Sequence, residues 1–349
     1  MKRRDFIKKS IPLSTIPLYV SGIPISVMGN SSTIAALTNA GSISDRCLVL
    51  VFLGGGNDGI NTLIPIDQYD VLMRDGSGGD SKPLRRPDLM IPENKILKMD
   101  GLSDTGLHSS MEKFQTLFNE DKLGFVRNVG YPNPNKSHFR STDIWNTGSY
   151  SHEFKNSGWF GRYLSNNHPS YPEGYPNNDF PDPLALTIGN NSSTTCQGPI
   201  INMGMSIKSL TSFPEIKEGE GDVPETPYGH ELEYIRTASK ITNDYFDRLE
   251  EAATYGGSSK IEYPDSKLAN QLKMVAQLIA GGLKSKIFIV KTGGFDTHAK
   301  QVDAGSPETG QHPDLMENLT ESIYAFQQDI IDRNLEERVL TMTYSEFGR

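Results

Sequence analysis

Residues 47–59 read CLVLVFLGGGNDG, and this stretch does most to decide the fold. Its seven consecutive apolar residues predict a strand buried on both faces, as in a parallel sheet covered by helices. Similar strands are predicted at residues 286–291 (KIFIVK) and 338–343 (RVLTMT). An amphipathic helix precedes each of them, at residues 268–279 and 315–330, where apolar residues recur at intervals of three and four. This alternation of helices and strands predicts an α/β fold with right-handed crossovers.

The middle of the chain departs from this alternation. A further strand of the α/β pattern is predicted at residues 123–126. Two later stretches do not fit the pattern, and the first of them, residues 168–183, is rich in Pro, Asn, Tyr and Asp and predicts a long surface loop. Residues 213–227 are acidic, and a polar helix is predicted after them at about residues 230–253. We therefore interpret residues 166–259 as an inserted, loop-rich and helical cap.

The N-terminus predicts an export signal. Residues 2–9 read KRRDFIKK, and an uncharged run follows them up to residue 44. A charged start, an apolar stretch and small residues are the parts of such a signal, and the twin arginine resembles a Tat signal, which is read by the Tat export machinery. Prolines at positions 12, 17 and 24 argue against a stable transmembrane helix, so an ordinary membrane anchor is the weaker alternative. We divide the chain into a signal and linker at residues 1–44 and an α/β domain at residues 45–349, exported to the periplasm or the extracellular space.

Composition excludes several classes of protein. Hydrophobic residues make up 36% of the chain, enough to build a core, which excludes wholesale disorder. The net charge of −9 argues against a nucleic-acid binder. Cys47 and Cys196 are the two cysteines; their spacing permits a disulfide but does not require one, and two thiolates are too few for a zinc–sulfur site. Any metal ion would therefore be held by oxygen and imidazole ligands.

Acidic side chains follow three of the predicted strands. Asp58 comes after the first strand, Asp296 and His298 come after the strand at 286–291, and Glu346 comes after the last. In open α/β sheets, ligands bind beyond the carboxyl ends of the strands, so we expect these groups at one edge. Carboxylates with an imidazole suit Zn²⁺, Mn²⁺ or Fe, or Mg²⁺ and Ca²⁺ with fewer imidazoles. Paired metal ions of this kind act in phosphoryl or sulfuryl transfer.

Each acidic residue also has a simpler explanation. Asp58 is typical of a turn, and residues 54–59 match the G-x-G-x-x-G dinucleotide pattern, although no helix or second acidic strand follows at the expected spacing. Asp296 could cap a helix beside a surface histidine, and Glu346 could be a solvated charge. The coincidence of three acids at strand ends favours the functional interpretation.

Residues 135–148 (NKSHFRSTDIWNTG) predict a helix that Asn135 or Ser137 caps and Gly148 ends. Ser137 or His138 would lie on its first turn, at the positive end of the helix dipole, where it could attack or hold an anion. A routine helix cap is the simpler alternative.

Together these segments resemble the exported bacterial family known as domain of unknown function 1501, which is grouped with the alkaline-phosphatase-like superfamily of phosphatases, sulfatases, phosphodiesterases and phosphomutases. The resemblance spans essentially the whole chain and implies a doubly wound α/β core, usually with a two-metal site. The segments that carry it are the twin-arginine start, residues 50–62 (LVFLGGGNDGINT), 137–139 (SHF), 294–298 (GFDTH) and 345–349 (SEFGR).

The resemblance also implies roles for individual residues. Ser137 or His138 corresponds to the nucleophile, and His312 is an alternative to His298 as the imidazole ligand. The residues it marks as ligands of divalent metal ions are Asp58, Asp296, His298, His312 and Glu346. Members of the family continue past a segment like the one at residue 349, so the resemblance predicts a chain truncated at its C-terminus.

These observations predict an exported metal-dependent hydrolase of phosphate or sulfate esters. The substrate, a small molecule or a polymer, and the metal ion, Zn²⁺, Mn²⁺, Ca²⁺ or Mg²⁺, are left open. Two alternatives are a non-catalytic exported binding or assembly protein that keeps the fold, and an interaction protein that works through the acidic segment at residues 213–227.

Overall fold

The computed structural model describes residues 45–73, 86–211 and 221–348, and the backbone of residues 16–20 and 23–28. Most of the predicted export signal therefore lies outside the described residues, as do residues 213–220 of the predicted acidic segment. Within the described ranges, no helix combines the length and apolar character needed to cross a membrane.

The described chain contains short strands and longer helices that alternate in its second half. The strands are β1 (Ile16–Val20), β2 (Ile23–Met28), β3 (Cys47–Leu53), β4 (Leu63–Pro65), β5 (Leu97–Lys98), β6 (Thr105–Leu107), β7 (Phe125–Arg127), β8 (Ala185–Ile188), β9 (Met205–Ile207), β10 (Ile287–Thr292) and β11 (Val339–Ser345). The helices are α1 (Gly59–Thr62), α2 (Tyr69–Met73), α3 (Glu112–Asn119), α4 (His138–Thr147), α5 (Trp159–Asn167), α6 (Pro227–Gly256), α7 (Lys267–Ala280) and α8 (Gln311–Asp332).

A five-stranded sheet forms the centre, in the order β11-β3-β10-β8-β9, and all four neighbouring pairs are parallel. This confirms the α/β class and the mostly parallel sheet. The register pairs Leu53 with Thr292 of β10 and with Ser345 of β11. Three strands therefore end at the same level, and the loops that follow them meet at one edge.

Helices cover both faces of this sheet. On one face, Val49 and Val51 of β3 join a core cluster with buried residues of α3, α6, α7 and α8. On the other, Leu50 and Ile289 pack with Phe160 of α5. Because successive side chains of a strand point to opposite faces, the uninterrupted apolar run of β3 serves both cores.

Two expectations about the middle of the chain need correction. Residues 123–126 were expected to form a strand of the same α/β pattern, but β7 pairs antiparallel with β2 in a separate three-stranded sheet. Val126 is 48% exposed, so β7 lacks the two buried faces that an inner parallel strand needs. Residues 166–259 are more than a cap, because they supply β8 and β9 to the central sheet.

The two cysteines are both free and buried. Cys47 belongs to the core on one face of the central sheet and Cys196 to the core on the other. Burial raises the pKa of each thiol to about 12, against weaker opposing effects of Arg338 and Lys286 at Cys47. Both cysteines are therefore packing residues without thiolate chemistry at neutral pH.

Candidate functional site

The loop after β3 lies against the loops that follow β10 and β11. Gly55 has a φ of +122°, and a Cβ at this position would lie 2.3 Å from the backbone nitrogen of Asp296. Gly56 has a φ of +77°, and its Cβ would lie 2.4 Å from the ring of Phe347. The glycine run therefore lets three loops approach closely. It leads into α1, which has only four residues, and not into the long helix of a dinucleotide site.

Glu346 occupies the space beneath this glycine loop and is 1% exposed. Its Oε1 accepts the Gly55 N–H at 2.8 Å, and the Ser345 hydroxyl lies 3.1 Å from its Oε2. Burial acts to raise the pKa of Glu346, but hydrogen bonds from His138 and from the N–H groups of Gly55 and Gly56 bring the pKa below its usual value. Glu346 is therefore a buried, ionised carboxylate at neutral pH.

His138, the first residue of α4, connects Glu346 with Asp296. Its Nδ1 lies 2.8 Å from Glu346 Oε1 and its Nε2 lies 3.5 Å from Asp296 Oδ2. The imidazole is 38% exposed, so the ring is hydrogen-bonded to a buried carboxylate and is also partly open to solvent. The structure thus brings His138, which the sequence placed on a separate helix, together with two of the acids expected at the carboxyl edge of the sheet.

Asp296 extends the arrangement to a second imidazole. His298 Nε2 lies 2.9 Å from Asp296 Oδ1, and His298 is 73% exposed with a left-handed φ of +46°. We call Glu346, His138, Asp296 and His298 the rim cluster. Since Glu346 accepts from Nδ1 of His138, the lone pair of a neutral ring would face the Asp296 carboxylate. A proton on Nε2 or a nearby cation removes that repulsion.

The rim cluster offers pairs of metal donors. Ligand bonds to ions such as Zn²⁺ are about 2.0–2.2 Å long, so two ligands of one ion lie about 3.0 Å apart in octahedral coordination and about 3.4 Å apart in tetrahedral coordination. The Asp296–His298 distance of 2.9 Å is close to the octahedral spacing. Imidazole and carboxylate are also the donor types that such ions take. Among the described residues, however, no group of three or more His, Cys, Asp or Glu side chains is arranged to hold one ion.

Asp58 does not belong to the rim cluster. It is 1% exposed, and Arg86 donates to both of its carboxylate oxygens, with 2.6 Å from Nη1 to Oδ1. Gln301 Nε2 and Asn61 Nδ2 also donate to Oδ2, and the Asp58 carboxylate caps α1 by accepting the N–H groups of Ile60 and Asn61. The expected metal ligand is instead the anion of a buried ion pair, which we call the Asp58–Arg86 pair.

The sequence contained no signal for Arg86 as the partner of Asp58. Arg86 lies 28 positions further along the chain, in a polar stretch without helical or strand periodicity. It is 8% exposed, which is unusual for an arginine without a paired acid.

His312 also lies away from the rim cluster. It is 1% exposed near the start of α8, its Nε2 lies 3.1 Å from Asn57 Oδ1, and its Nδ1 has no hydrogen-bond partner among the described residues. Burial lowers the pKa of His312 to about 4, although the charge of Asp58 acts to raise it. The ring of His108, another buried histidine that the sequence analysis missed, stands edge-on 6.2 Å away. The structure therefore favours His298 over His312 as the imidazole beside Asp296.

Ser137 caps α4 only through its backbone position. Its side chain accepts no capping hydrogen bond, and its own N–H donates to Asn135 Oδ1 at 2.8 Å. The helix ends at Gly148, as the sequence predicts. Of the two residues expected as nucleophile, His138 is the one held by neighbouring side chains.

The candidate site is thus a line of alternating carboxylates and imidazoles at the carboxyl edge of the sheet, with a separate buried ion pair beside it. Compared with protein-family models, with curated proteins and with solved structures, the chain matches none of them.

Proposed function

We propose that this protein is a hydrolase of phosphate or sulfate esters in which His138 is the reacting side chain. One observation carries the proposal: a buried carboxylate holds Nδ1 of His138 while 38% of the imidazole side chain is exposed to solvent. A carboxylate that orients an imidazole in this way is the arrangement used in general acid–base and nucleophilic catalysis. The resemblance to the alkaline-phosphatase-like superfamily adds the ester class.

His138 can act from one atom in either of two ways. Glu346 accepts the hydrogen bond from Nδ1, which leaves the Nε2 lone pair for the reaction. In one route Nε2 attacks the phosphorus or sulfur atom as the ester oxygen leaves with a proton from solvent, and water then cleaves the N–P or N–S bond. In the other route Nε2 removes the proton of a water that attacks the same atom as the ester oxygen leaves. The backbone N–H groups at the start of α4 favour an anion at the same place.

A divalent metal ion is part of this proposal, with Asp296 and His298 as the side chains that would hold it. When bound, such an ion polarises the ester oxygen and offsets the charge that develops on it. Asp296 lies between His138 and His298, so an ion held by Asp296 and His298 would lie on the same carboxylate that faces Nε2 of His138. We also propose that the protein acts outside the cytoplasm after Tat-type export, on the basis of the sequence of residues 2–9.

The test is hydrolysis of a panel of aryl phosphates and aryl sulfates. The purified protein is stripped of metal and assayed with Mn²⁺, Zn²⁺, Ca²⁺ and Mg²⁺. We expect turnover with at least one ion, and a loss of about 100-fold or more in His138→Ala, as is typical when a general acid or base is removed. Asp296→Asn should lower both turnover and metal content.

His152→Ala is the matched control, because His152 is an exposed histidine 14 positions along the chain that stacks on Tyr150. It should keep wild-type turnover. If wild type and His138→Ala are indistinguishable with every metal ion and substrate, His138 is not the reacting group.

The non-catalytic binding or assembly protein is the second candidate, because one expected metal ligand is already engaged. Asp58 has Arg86, Gln301 and Asn61 as partners. In a protein that had lost its metal chemistry, a side-chain cation such as Arg86 would stand where the metal ion had been. Turnover that Asp296→Asn abolishes would exclude this candidate.

A further inference from the structure

We propose that Phe347 is a positioning residue for His138, and that Gly56 is a glycine because the Phe347 ring takes the space of its side chain. This inference rests on the proposed role of His138. It concerns a residue that touches neither substrate nor metal and acts through the orientation of the imidazole.

The first observation is the contact between the two rings. Their centroids lie 4.9 Å apart with an angle of 34° between the planes, within the range of favourable aromatic pairs. Phe347 directly follows Glu346, so two successive residues after β11 contact the same imidazole. One accepts a hydrogen bond from Nδ1 and the other covers a face of the ring.

The two contacts restrict different motions. The hydrogen bond to Glu346 fixes one atom of the imidazole and leaves the ring free to pivot about that atom. The Phe347 ring packs against the face of the imidazole and limits this pivot, and it thereby fixes the direction in which Nε2 points. In this orientation Nε2 points toward Asp296 Oδ2, 3.5 Å away. A reacting group needs both restraints, because an orientation that is loose by about 1 Å can cost 100-fold in rate.

The second observation is the space beside Gly56. A Cβ there would meet Cε2 and Cδ2 of Phe347 at 2.4 and 2.8 Å, closer than any tolerated contact. The neighbouring Gly55 makes the same kind of space for the backbone at Asp296. Two adjacent glycines thus admit the backbone of Asp296 from the loop after β10 and the ring of Phe347 from the loop after β11, and the side chains of both residues approach His138.

If Phe347 only filled space, replacing it would have a different effect on His138 than if it positions the imidazole. If its ring only filled space, a leucine would serve nearly as well, and His138 would keep its orientation through Glu346 alone. If Phe347 positions the imidazole, an aromatic replacement should preserve the site and an aliphatic one should not.

The experiment compares Phe347→Leu, Phe347→Tyr and Gly56→Ala in the full chain, after circular dichroism has shown that each is folded. The first measurement is the ¹⁵N and ¹H NMR spectrum of the His138 ring at pH 8, which needs neither substrate nor activity. We expect one sharp set of ring signals in wild type and Phe347→Tyr, and signals broadened by exchange between ring orientations in Phe347→Leu and Gly56→Ala.

The second measurement is hydrolysis of an aryl phosphate. We expect kcat to fall about 10-fold to 100-fold in Phe347→Leu and Gly56→Ala with KM nearly unchanged, and to stay close to wild type in Phe347→Tyr. Phe154→Leu is the matched control: Phe154 is 80% exposed, stacks on Arg140 and does not contact His138. Its kcat and its His138 spectrum should match wild type.

The outcomes separate this inference from the proposed function. Signals of the His138 ring that stay as sharp in Phe347→Leu as in wild type overturn the positioning role, whatever the hydrolysis shows. A changed spectrum in a protein that hydrolyses no ester supports the positioning role and defeats the proposed function. If Gly56→Ala does not fold because of its positive φ, Phe347→Leu still decides the matter.

Discussion

The Asp58–Arg86 pair provides the sharpest test of the structure, because the sequence assigns Asp58 to a metal ion and the structure assigns it to an arginine. The two side chains are 1% and 9% exposed. Removing one partner of a buried pair leaves an uncompensated charge, which costs about 3–5 kcal/mol. In Arg86→Leu, hydrogen bonds from Gln301 and Asn61 still reach the carboxylate, so we expect the lower end, about 3 kcal/mol.

The double variant Asp58→Asn/Arg86→Leu should cost less than the sum of the two single variants. Asparagine is a good N-cap, so it can still accept the N–H groups at the start of α1, and neither buried charge remains. The difference between the sum and the double variant measures the coupling of the pair.

Thermal unfolding followed by circular dichroism is the assay, with EDTA and then with a divalent ion. A loss of about 3 kcal/mol corresponds to a fall in Tm of roughly 5 °C for a domain of about 300 residues, at about 2.1 cal/mol/K of unfolding entropy per residue. Lys240→Met is the matched control. It removes an exposed i,i+4 pair with Asp244 whose N–O distance is 2.6 Å, and such pairs contribute about 0.3–0.5 kcal/mol.

Two results would refute this reasoning. One is a Tm for Arg86→Leu that is no lower than that of Lys240→Met. The other is a wild-type Tm that rises with a divalent ion and stops doing so in Asp58→Asn, which would make Asp58 a metal ligand in solution.

Two further predictions concern the glycine loop and acid stability. Gly55→Ala should lower the free energy of unfolding by about 2 kcal/mol or more, because an L residue is strained at positive φ and its Cβ would meet the nitrogen of Asp296. Gly59→Ala is the control: its Cβ would meet nothing within 4 Å, so it should be neutral or stabilising by up to about 1 kcal/mol in the same unfolding measurement. For His312, a pKa of about 4 in the folded protein, below an unfolded value of about 6.5, means that its contribution to stability is complete above pH 6.5 and is lost as the pH falls toward 4. Over that window wild type should lose about 3 kcal/mol more than His312→Gln in urea unfolding, and equal losses would contradict the burial argument.

Local patterns were sufficient for the elements with a strong period. The apolar run of β3 and the four-four-three-four spacing of α8 predicted those elements, since both signals arise from neighbouring residues. The strand β8 gave no such signal. Its four residues, ALTI, lie in a short stretch between Pro183 and Gly189, and pairing with β10 on one side and β9 on the other makes them part of the sheet.

In the candidate site, too, some residues were predictable from local sequence and their partners were not. Asp296, His298 and Glu346 were predicted because each follows a strand, and parallel strands end at a common edge. Their mutual partners were beyond prediction. Gly55 and Glu346 are 291 positions apart, and their hydrogen bond depends on β3 and β11 being adjacent and in register.

By itself, the amino-acid sequence determined the strands β3, β10 and β11 and the amphipathic helices α7 and α8, and therefore that acidic side chains gather at the carboxyl edge of a parallel sheet. Only the tertiary structure decided which acid meets which base: Glu346 and Asp296 flank His138, whereas Asp58 is enclosed with Arg86. The physical reason is that periodicity is a property of neighbouring residues, whereas the environment of a charge depends on distant segments that arrive at the same place.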